Sequence, residues 1–231
     1  MTKKILITGA NGQLGHEMRN ALKGNNRFEC IFTDVAELDI CNAEAVKQII
    51  ADNHIDYIVN CAAYTQVDKA EDNAELCKKI NTDAVENLAR AAATYGARMI
   101  HISTDYVFNG RGYRPYTEDV VPDPQSVYGS TKLEGEKILT DICPESIIIR
   151  TAWLYSPYGN NFVKTMLHLG EEREELSVVA DQIGTPTCAA DLAQAILVIL
   201  QADTFVPGTY HFSDEGACSW YDFTVTIHRL A

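Results

Sequence analysis

Several features that mark specialised classes of protein are missing from this sequence. No apolar run is long enough to span a bilayer, and a strand pattern begins almost at the first residue, which leaves no room for a signal peptide. The seven cysteines are scattered and include no Cys-x-x-Cys pair, which argues against structural zinc. An odd number of scattered cysteines fits a reduced compartment. We therefore expect a cytoplasmic protein without a membrane-spanning segment.

Basic residues are also scarce. Lys and Arg total 19 against 32 Asp and Glu, which gives a formal net charge of −13. A surface of this sign argues against nonspecific binding of nucleic acid through a basic face. Hydrophobic residues make up 46% of the chain, so a substantial core can form. Its 231 residues suffice for one large domain or for one domain with a lobe.

What the sequence does contain is an alternation of apolar, strand-like runs with helical patterns. The runs predict strands at 4–8, 28–34, 56–61, 99–103, 146–151, 176–180 and 209–213. The helical spacing predicts one helix behind a glycine turn near residue 14 and others at 43–52, 74–95, 127–141, 162–169, 191–200 and from about 219. Such alternation is typical of a parallel sheet that helices cover on both faces.

A glycine turn follows the first predicted strand. Gly9, Gly12 and Gly15 stand in the spacing Gly-x-x-Gly-x-x-Gly, and a helical pattern begins among them. Gly9 permits the turn, Gly12 lets the backbone approach a pyrophosphate, and Gly15 permits close packing of helix on strand. The order of strand, glycine turn and helix predicts a dinucleotide site, although a turn of this kind is as often only a tight connection.

A second signal lies far along the chain, where Tyr128 and Lys132 are four residues apart on one predicted helix. A tyrosine with a pKa near 10 is a poor proton donor or acceptor at neutral pH unless a nearby cation stabilises its phenolate. Alone, such a pair more often marks a solvated helix face. Together with the glycine turn, and with Asp34 and Thr104 at the carboxyl ends of predicted strands, it indicates hydride chemistry.

Beyond residue 150 the patterns become less regular, and loops rich in Gly, Pro, Tyr and Asn lengthen. We interpret residues 1–150 as an NAD(P)-binding Rossmann domain, with a doubly wound parallel sheet. Residues 151–231 are interpreted as a smaller C-terminal substrate-binding lobe, partly interleaved with that core. The last helical pattern reaches residue 231 without a C-cap, from which we expect a truncated C-terminus.

Longer motifs give the chain a more specific resemblance. They are Ser103-Thr104-Asp105-Tyr106-Val107-Phe108, Tyr128-Gly129-Ser130-Thr131-Lys132, Arg150-Thr151-Ala152-Trp153 and Asp181-Gln182-Ile183-Gly184-Thr185-Pro186-Thr187. On these motifs the chain resembles the extended short-chain dehydrogenase/reductase superfamily, and more closely the dTDP-4-dehydrorhamnose reductases of rhamnose biosynthesis. The resemblance implies NAD(P)H-dependent reduction of the C4 keto group of dTDP-4-dehydro-6-deoxy-L-mannose to dTDP-L-rhamnose, an oxidoreductase activity on a nucleotide sugar.

The resemblance assigns three catalytic residues. It implies that Tyr128 donates a proton to the sugar C4 oxygen, that Thr104 hydrogen-bonds the same oxygen, and that Lys132 lowers the pKa of the phenol. It implies that the sugar nucleotide also contacts several further residues. The substrate-binding set is Thr104, Asp105, Tyr128, Trp153, Asn161 and Gln182.

The expected cofactor is NADH or NADPH. Asp34 lies about 20 residues beyond the glycine turn, where an acid bonds the ribose 2′-hydroxyl and repels a 2′-phosphate, which slightly favours NADH. By resemblance Asp39 and Ile40 contact the adenine, although Asp39 can equally serve as the N-cap of the next helix. The predicted cofactor residues are Gly9, Gly12, Gln13, Leu14, Gly15, Asp34, Asp39, Ile40, Ala62, Ala63, Tyr64, Tyr128 and Lys132.

Other properties stay open at this point. The resemblance offers Glu17 for a magnesium ion that bridges a dimer, but Ala190 stands where a second acid is expected, so a metal is doubtful. The expected assembly is a monomer or a homodimer that binds a small nucleotide sugar. A nucleotide-sugar 4-epimerase, or a noncatalytic subunit that resembles the regulatory β subunit of methionine adenosyltransferase, remains an alternative function.

Overall fold

A computed structural model of the chain describes residues 2–231. Its strands are β1 Lys3–Thr8, β2 Phe28–Thr33, β3 Tyr57–Asn60, β4 Arg98–Thr104, β5 Ile147–Thr151, β6 Leu154–Tyr155, β7 Ile183–Gly184, β8 Thr187–Cys188, β9 Gly208–His211 and β10 Cys218–Ser219. Its α-helices are α1 Gln13–Leu22, α2 Ala43–Asn53, α3 Val67–Asp72, α4 Ala74–Lys78, α5 Ala84–Tyr95, α6 Val127–Ile142, α7 Phe162–Glu172, α8 Ala189–Gln201 and α9 Trp220–Leu230. None of the helices in this part of the chain combines the length and apolarity that crossing a membrane requires.

The core is a six-stranded sheet in the order β2-β1-β3-β4-β5-β9, with every neighbouring pair parallel. Alternate residues of each strand point to opposite faces. Leu6 and Met99 pack in the apolar layer that holds α2, α5 and α6, whereas Ile5 and Ile7 pack in the layer that holds α1 and α8. The predicted Rossmann-type doubly wound fold is confirmed.

The strand order changes direction between β1 and β3, because the chain passes from β1 outward to β2 and then returns to the other side of β1. Ligands of such sheets bind at this switch point, beyond the carboxyl ends of the strands. The glycine turn follows β1 directly, so the fold places it at the expected binding edge.

Most predicted elements are present, but the predicted strand at 176–180 is wrong. Residues 176–180 form no strand, and Leu176 and Val178 instead line a groove against α9, where the Tyr221 amide donates to the Val179 carbonyl at 3.0 Å. The apolar character that suggested a strand is used for packing on a helix. The predicted helix at 74–95 is interrupted by a π-helical turn at Lys79–Asp83.

The second part of the chain does not fold apart from the first. The strand β9 completes the central sheet beside β5, and α8 packs in the same layer as α1. What remains forms a small lobe from α7, α9 and two short strand pairs, β6 with β8 and β7 with β10.

A buried ion pair ties α6 to the sheet. Arg150 on β5 donates from Nη2 and Nε to the Glu136 carboxylate at 2.6 and 3.0 Å, and the two side chains are 7% and 4% exposed. Arg150 also lies over the Phe108 ring, 5.3 Å from its centre. Two charges buried this deeply stabilise the fold only as a pair.

We predict that Arg150→Met lowers the free energy of unfolding by about 3–5 kcal/mol, because it leaves the Glu136 carboxylate buried without a counter-ion. Urea denaturation measures the loss, and the double variant Arg150→Met/Glu136→Leu should recover much of it. The control is Arg90→Met, whose partner Glu86 is a surface residue and whose loss should cost under about 1 kcal/mol. Equal losses in Arg150→Met and Arg90→Met would contradict the prediction.

Candidate active site

The glycine turn between β1 and α1 has the shape of a phosphate cradle. Gly9 has φ +62°, and a Cβ atom there would lie 2.7 Å from the Ala62 backbone. A Cβ atom at Gly15 would overlap the carbonyl oxygen of Gly9, so both positions exclude a side chain. Gly12 caps α1 without a side-chain acceptor, and Leu14 packs in the core below. The amides at the start of α1 are therefore available to a pyrophosphate, and these residues fit a dinucleotide.

Asp34 follows β2 and faces this turn. Its Oδ2 accepts the Asn11 amide at 2.9 Å, and its Oδ1 accepts the Val35 amide at 2.8 Å. The Asp34 amide in turn donates to Glu37 Oε2 at 2.9 Å, which brings a second carboxylate to the same place. The pair presents negative charge where a ribose 2′-hydroxyl is expected.

The structure around Asp39 and Ile40 decides whether Asp39 caps α2. The N-cap of α2 is Asn42, whose side chain accepts the Ala45 amide at 3.1 Å, so Asp39 does not cap this helix. Asp39 instead accepts the Cys41 amide at 2.9 Å, and the Ile40 side chain is buried in the core. The predicted adenine contact of Asp39 and Ile40 remains a prediction.

The segment after β3 is held by two asparagines, of which Asn81 was not predicted to take part in the site. Asn60 accepts the Ala62 amide at 3.2 Å, and Asn81 accepts the Tyr64 amide at 2.8 Å while it donates to the Tyr64 carbonyl at 3.1 Å. Ala63 lies between these two anchored positions. Asn81 stands inside the π-helical turn, and π-helical turns occur often at functional sites. An asparagine within a helical pattern was the signal that could have found it.

The predicted catalytic residues meet at the carboxyl end of β4. Thr104 ends the strand, and its hydroxyl accepts the Tyr106 amide at 3.2 Å and donates to Asp105 Oδ1 at 3.1 Å. Tyr128 lies in the first turn of α6, which Ser126 caps, and its ring is edge-on to that of Tyr106 with centroids 5.5 Å apart. Burial raises the pKa of Tyr128 above its usual value, and hydrogen bonding with Thr104 lowers it in part.

Lys132 is fully buried one helical turn beyond Tyr128. Its Nζ donates to the Ile102 carbonyl at 2.6 Å and lies 3.3 Å from His101 Nε2. Burial lowers the pKa of Lys132 to about 8, against an opposing effect of the Glu136 carboxylate. The predicted effect of Lys132 on the pKa of the Tyr128 phenol stays a prediction, because the contacts of the amine described here are with β4.

Asp105 completes the cluster as an unusual carboxyl group. Burial raises its pKa to about 6, although the hydrogen bond from Thr104 favours the carboxylate. The site therefore holds an acid that changes charge just below neutral pH, beside the phenol that is expected to give up a proton.

Trp153 lies in an aromatic cluster of the small lobe. Its ring stacks on Trp220 with centroids 3.5 Å apart, and Phe162 and Phe223 pack against the same pair. A Cβ atom at Gly184 would lie 2.5 Å from Trp153, so that glycine is required for the close contact. Trp153 is thus largely engaged within the lobe, and its contact with substrate stays a prediction.

Asn161 joins the lobe to the glycine turn. Its Nδ2 donates to Gln13 Oε1 at 2.9 Å and to the Ser156 carbonyl at 2.8 Å, and its Oδ1 caps α7 by accepting the Lys164 amide. Both Nδ2 hydrogens are thus engaged, whereas Oδ1 keeps a second lone pair for a donor on the substrate. Gln182 is exposed next to β7, and its contact with substrate stays a prediction.

Glu17 is buried on α1, where it accepts the Asn20 amide group at 3.0 Å. Within residues 2–231, no group of three or more His, Cys, Asp or Glu side chains is arranged to hold a metal ion.

Comparison with known proteins identifies the family. The profile of the family described as "RmlD substrate binding domain" matches residues 3–231. The chain belongs to this family. A dTDP-4-dehydrorhamnose reductase of Aggregatibacter actinomycetemcomitans is 44% identical over 228 residues, which cover 97% of this chain and 78% of that protein. The resemblance that the motifs indicated is confirmed.

Two solved structures of proteins with the same name are similar to this chain over almost its whole length. A dTDP-4-dehydrorhamnose reductase of Clostridium acetobutylicum is 52% identical, with a TM-score of 0.95 over 98% of this chain and 80% of that one. A dTDP-4-dehydrorhamnose reductase of Bacillus anthracis, in complex with NADP, is 43% identical with a TM-score of 0.95, over 100% of this chain and 81% of that one.

The carboxyl group of Asp105 gives a prediction about stability and pH. An unfolded Asp titrates near 3.8 and the folded one near 6, so the folded protein holds the proton more tightly. Stability is therefore lost as the pH rises from about 4 to about 6. Above about pH 6 the size of this loss no longer changes. Asp105→Asn removes this loss and still accepts from Thr104, so it should be more stable by roughly 3 kcal/mol at pH 8, at about 1.4 kcal/mol per pKa unit.

Thermal unfolding of Asp105→Asn and of the unchanged protein from pH 4 to 8 measures the difference. The exposed Asp203, next to the end of α8, supplies the control variant Asp203→Asn, whose stability should follow that of the unchanged protein. A stability gain for Asp105→Asn that is the same at pH 4 and pH 8 would exclude ionisation of Asp105 as its cause.

Proposed function

We propose that the protein reduces the C4 keto group of dTDP-4-dehydro-6-deoxy-L-mannose to dTDP-L-rhamnose with NADH or NADPH. The observation that carries the proposal is the convergence of Thr104, Tyr128 and Lys132 at the carboxyl end of β4, on the sheet edge where the glycine turn also lies. The names of the family members that match this chain support the same substrate.

The cofactor fits the residues present. Its pyrophosphate would lie on the amides at the start of α1, and its adenosine ribose would reach Asp34. Ala62, Ala63 and Tyr64 would line the cofactor, because Gly9 already packs directly against the Ala62 backbone. The nicotinamide cofactor supplies a hydride when it is bound.

The side chains of this protein supply the rest of the reaction. Tyr128 gives its phenolic proton to the C4 oxygen, since its raised pKa keeps it protonated at neutral pH. Thr104, whose hydrogen bonding lowers the pKa of that phenol in part, orients the same oxygen. Lys132 holds the nicotinamide ribose, and when it takes up a proton it favours the phenolate that remains after the transfer.

We also propose that the small lobe binds the sugar nucleotide. In this arrangement Trp153, Asn161 and Gln182 contact the substrate at the lobe, while Thr104, Asp105 and Tyr128 contact it from the sheet. The bond between Asn161 and Gln13 supports this arrangement, because it fixes the lobe directly against the cofactor turn.

The central test of the proton donor is Tyr128→Phe. We expect turnover to fall by about 10²–10⁴-fold, because a positioned general acid contributes that much, while the Kd of NADH changes little. Stopped-flow hydride transfer and fluorescence titration measure the two quantities. The control is Tyr106→Phe, which keeps the neighbouring ring and leaves the proton donor intact. Near-normal turnover in Tyr128→Phe would rule out this residue as the donor.

The cofactor preference follows from the carboxylates at the end of β2. Asp34→Ala/Val35→Arg removes one repulsive group and adds a cation, because Val35 is exposed beside Asp34. We expect the ratio of kcat/KM for NADPH over NADH to rise by roughly tenfold or more, since each charge contact in a partly solvated site contributes on the order of 1 kcal/mol.

The matched control for the cofactor test is Asp34→Ala/Val35→Gln, which has a side chain of similar reach without the charge. Its ratio should rise less than that of the arginine variant. If neither variant changes the ratio, Asp34 does not face the ribose.

A further inference from the structure

A histidine that the proposed reaction does not use lies directly beneath the catalytic lysine. His101 is on β4 with no exposed surface, on the face of the sheet that α6 covers. Its Nδ1 lies 3.0 Å from Asn60 Nδ2 on the neighbouring strand, and its Nε2 lies 3.3 Å from Lys132 Nζ. Each ring nitrogen therefore faces a different polar side chain.

The neighbours of Asn60 decide which way its amide points. The Thr8 hydroxyl donates to Asn60 Oδ1 at 2.6 Å, and the Ala62 amide donates to the same oxygen at 3.2 Å. A backbone amide can only donate, so the oxygen must face Ala62 and the NH2 group must face His101. The orientation of this asparagine is thus set by the backbone of the cofactor-binding segment.

The orientation of Asn60 fixes the tautomer of His101. Since the Asn60 NH2 group donates to Nδ1, this nitrogen carries no proton, and the ring proton lies on Nε2. Burial and the neighbouring Lys132 both lower the pKa of His101 well below its usual value, so the ring is neutral. A neutral ring with its proton on Nε2 presents an N–H group to Lys132.

This N–H group distinguishes the two charge states of Lys132. An ammonium has three donors and no acceptor, so it cannot bond to His101 Nε2–H. A neutral amine can accept that proton in its lone pair while it donates to the Ile102 carbonyl at 2.6 Å. Only the neutral form makes both bonds.

We infer that His101 is a positioning residue for Lys132: held by Asn60 in the Nε2–H tautomer, it fixes the amino group against β4 and favours the neutral amine over the ammonium. The amine keeps one N–H for the site. Protonation of Lys132 costs the bond to His101, so the charge of the lysine and its position are coupled.

Other groups act on Lys132 from the remaining elements. Glu136, on its own helix α6, favours the ammonium, but the bond to Arg150 already engages that carboxylate. Cys77 on α4 also raises the pKa of Lys132, and burial opposes both and is the largest effect. His101 therefore adds to burial and works against Glu136 and Cys77, which keeps the lysine able to change charge near physiological pH.

The first test needs no substrate and uses the whole protein. Long-range proton–nitrogen NMR of protein with ¹⁵N-labelled histidine distinguishes the two tautomers, and His101→Asn identifies the His101 signals among the six histidines. We expect Nδ1 unprotonated and Nε2 protonated from pH 6 to 9, with the Nε2 signal moved in Lys132→Met. A proton on Nδ1, or an imidazolium that titrates in this range, would overturn the inference.

The second test uses the rate and rests on the proposed reduction. In His101→Asn the new side-chain oxygen can stand at the Nδ1 position and accept from Asn60, but nothing faces Lys132. The relevant inflection in the pH profile of single-turnover hydride transfer is the one that Lys132→Met abolishes. This inflection should move to higher pH by roughly 0.5–1 unit, because protonation of Lys132 no longer breaks a hydrogen bond to His101.

The control for the second test is His168→Asn, on the exposed face of α7, whose profile should not change. A purely structural role for His101 predicts a rate that falls equally at every pH with the inflection in place, and that result would overturn the inference. If His101→Asn does not fold, the His101 signals are identified as those that move in Lys132→Met, and the NMR measurement on the unchanged protein decides the matter. A failure of the proposed reduction leaves the NMR result unaffected, so the two can be told apart.

Discussion

Helix α6 can lie against the turn that follows β4 and against the π-helical turn because glycine occupies two positions on its inner face. A Cβ atom at Gly129 would overlap the Tyr106 carbonyl oxygen, and one at Gly135 would overlap the Asn81 carbonyl oxygen. At this close distance Lys132 reaches the Ile102 carbonyl and Glu136 reaches Arg150. The approach of one helix therefore places the phenol, the amine and the buried ion pair together, and the chemistry of the site depends on it.

The polar groups beneath α6 are satisfied in two different ways. Glu136 and Arg150 neutralise each other, which fixes the helix on the sheet and leaves no net charge there. Lys132 has no carboxylate within bonding distance and is held by a carbonyl and a neutral ring instead. A buried amine without a counter-ion has a lowered pKa, so the first arrangement is structural and the second is reactive.

Much of this arrangement could be predicted from the sequence, because the features concerned are local. The glycine turn, the strands and the helix that bears Tyr128 and Lys132 each follow from a short pattern of residues. Features that depend on tertiary partners could not be predicted. The apolar run with Leu176 and Val178 packs on α9 rather than in a sheet, and Asn42 rather than Asp39 caps α2. The contact of His101 with Lys132 joins residues on separate elements, and no spacing in the chain reveals it.

The central claim is that hydride passes from the nicotinamide to C4 of the sugar, and isotope labelling measures this transfer most directly. The protein is mixed with NADH that carries deuterium on the transferred position and with the dTDP-4-keto sugar, and the product is examined by NMR. Reduction predicts one deuterium at C4 of the sugar for each NADH oxidised, with NAD⁺ released to solution. A product without deuterium at C4, as an epimerase with retained NAD⁺ would give, or no oxidation of NADH at all, would contradict the account.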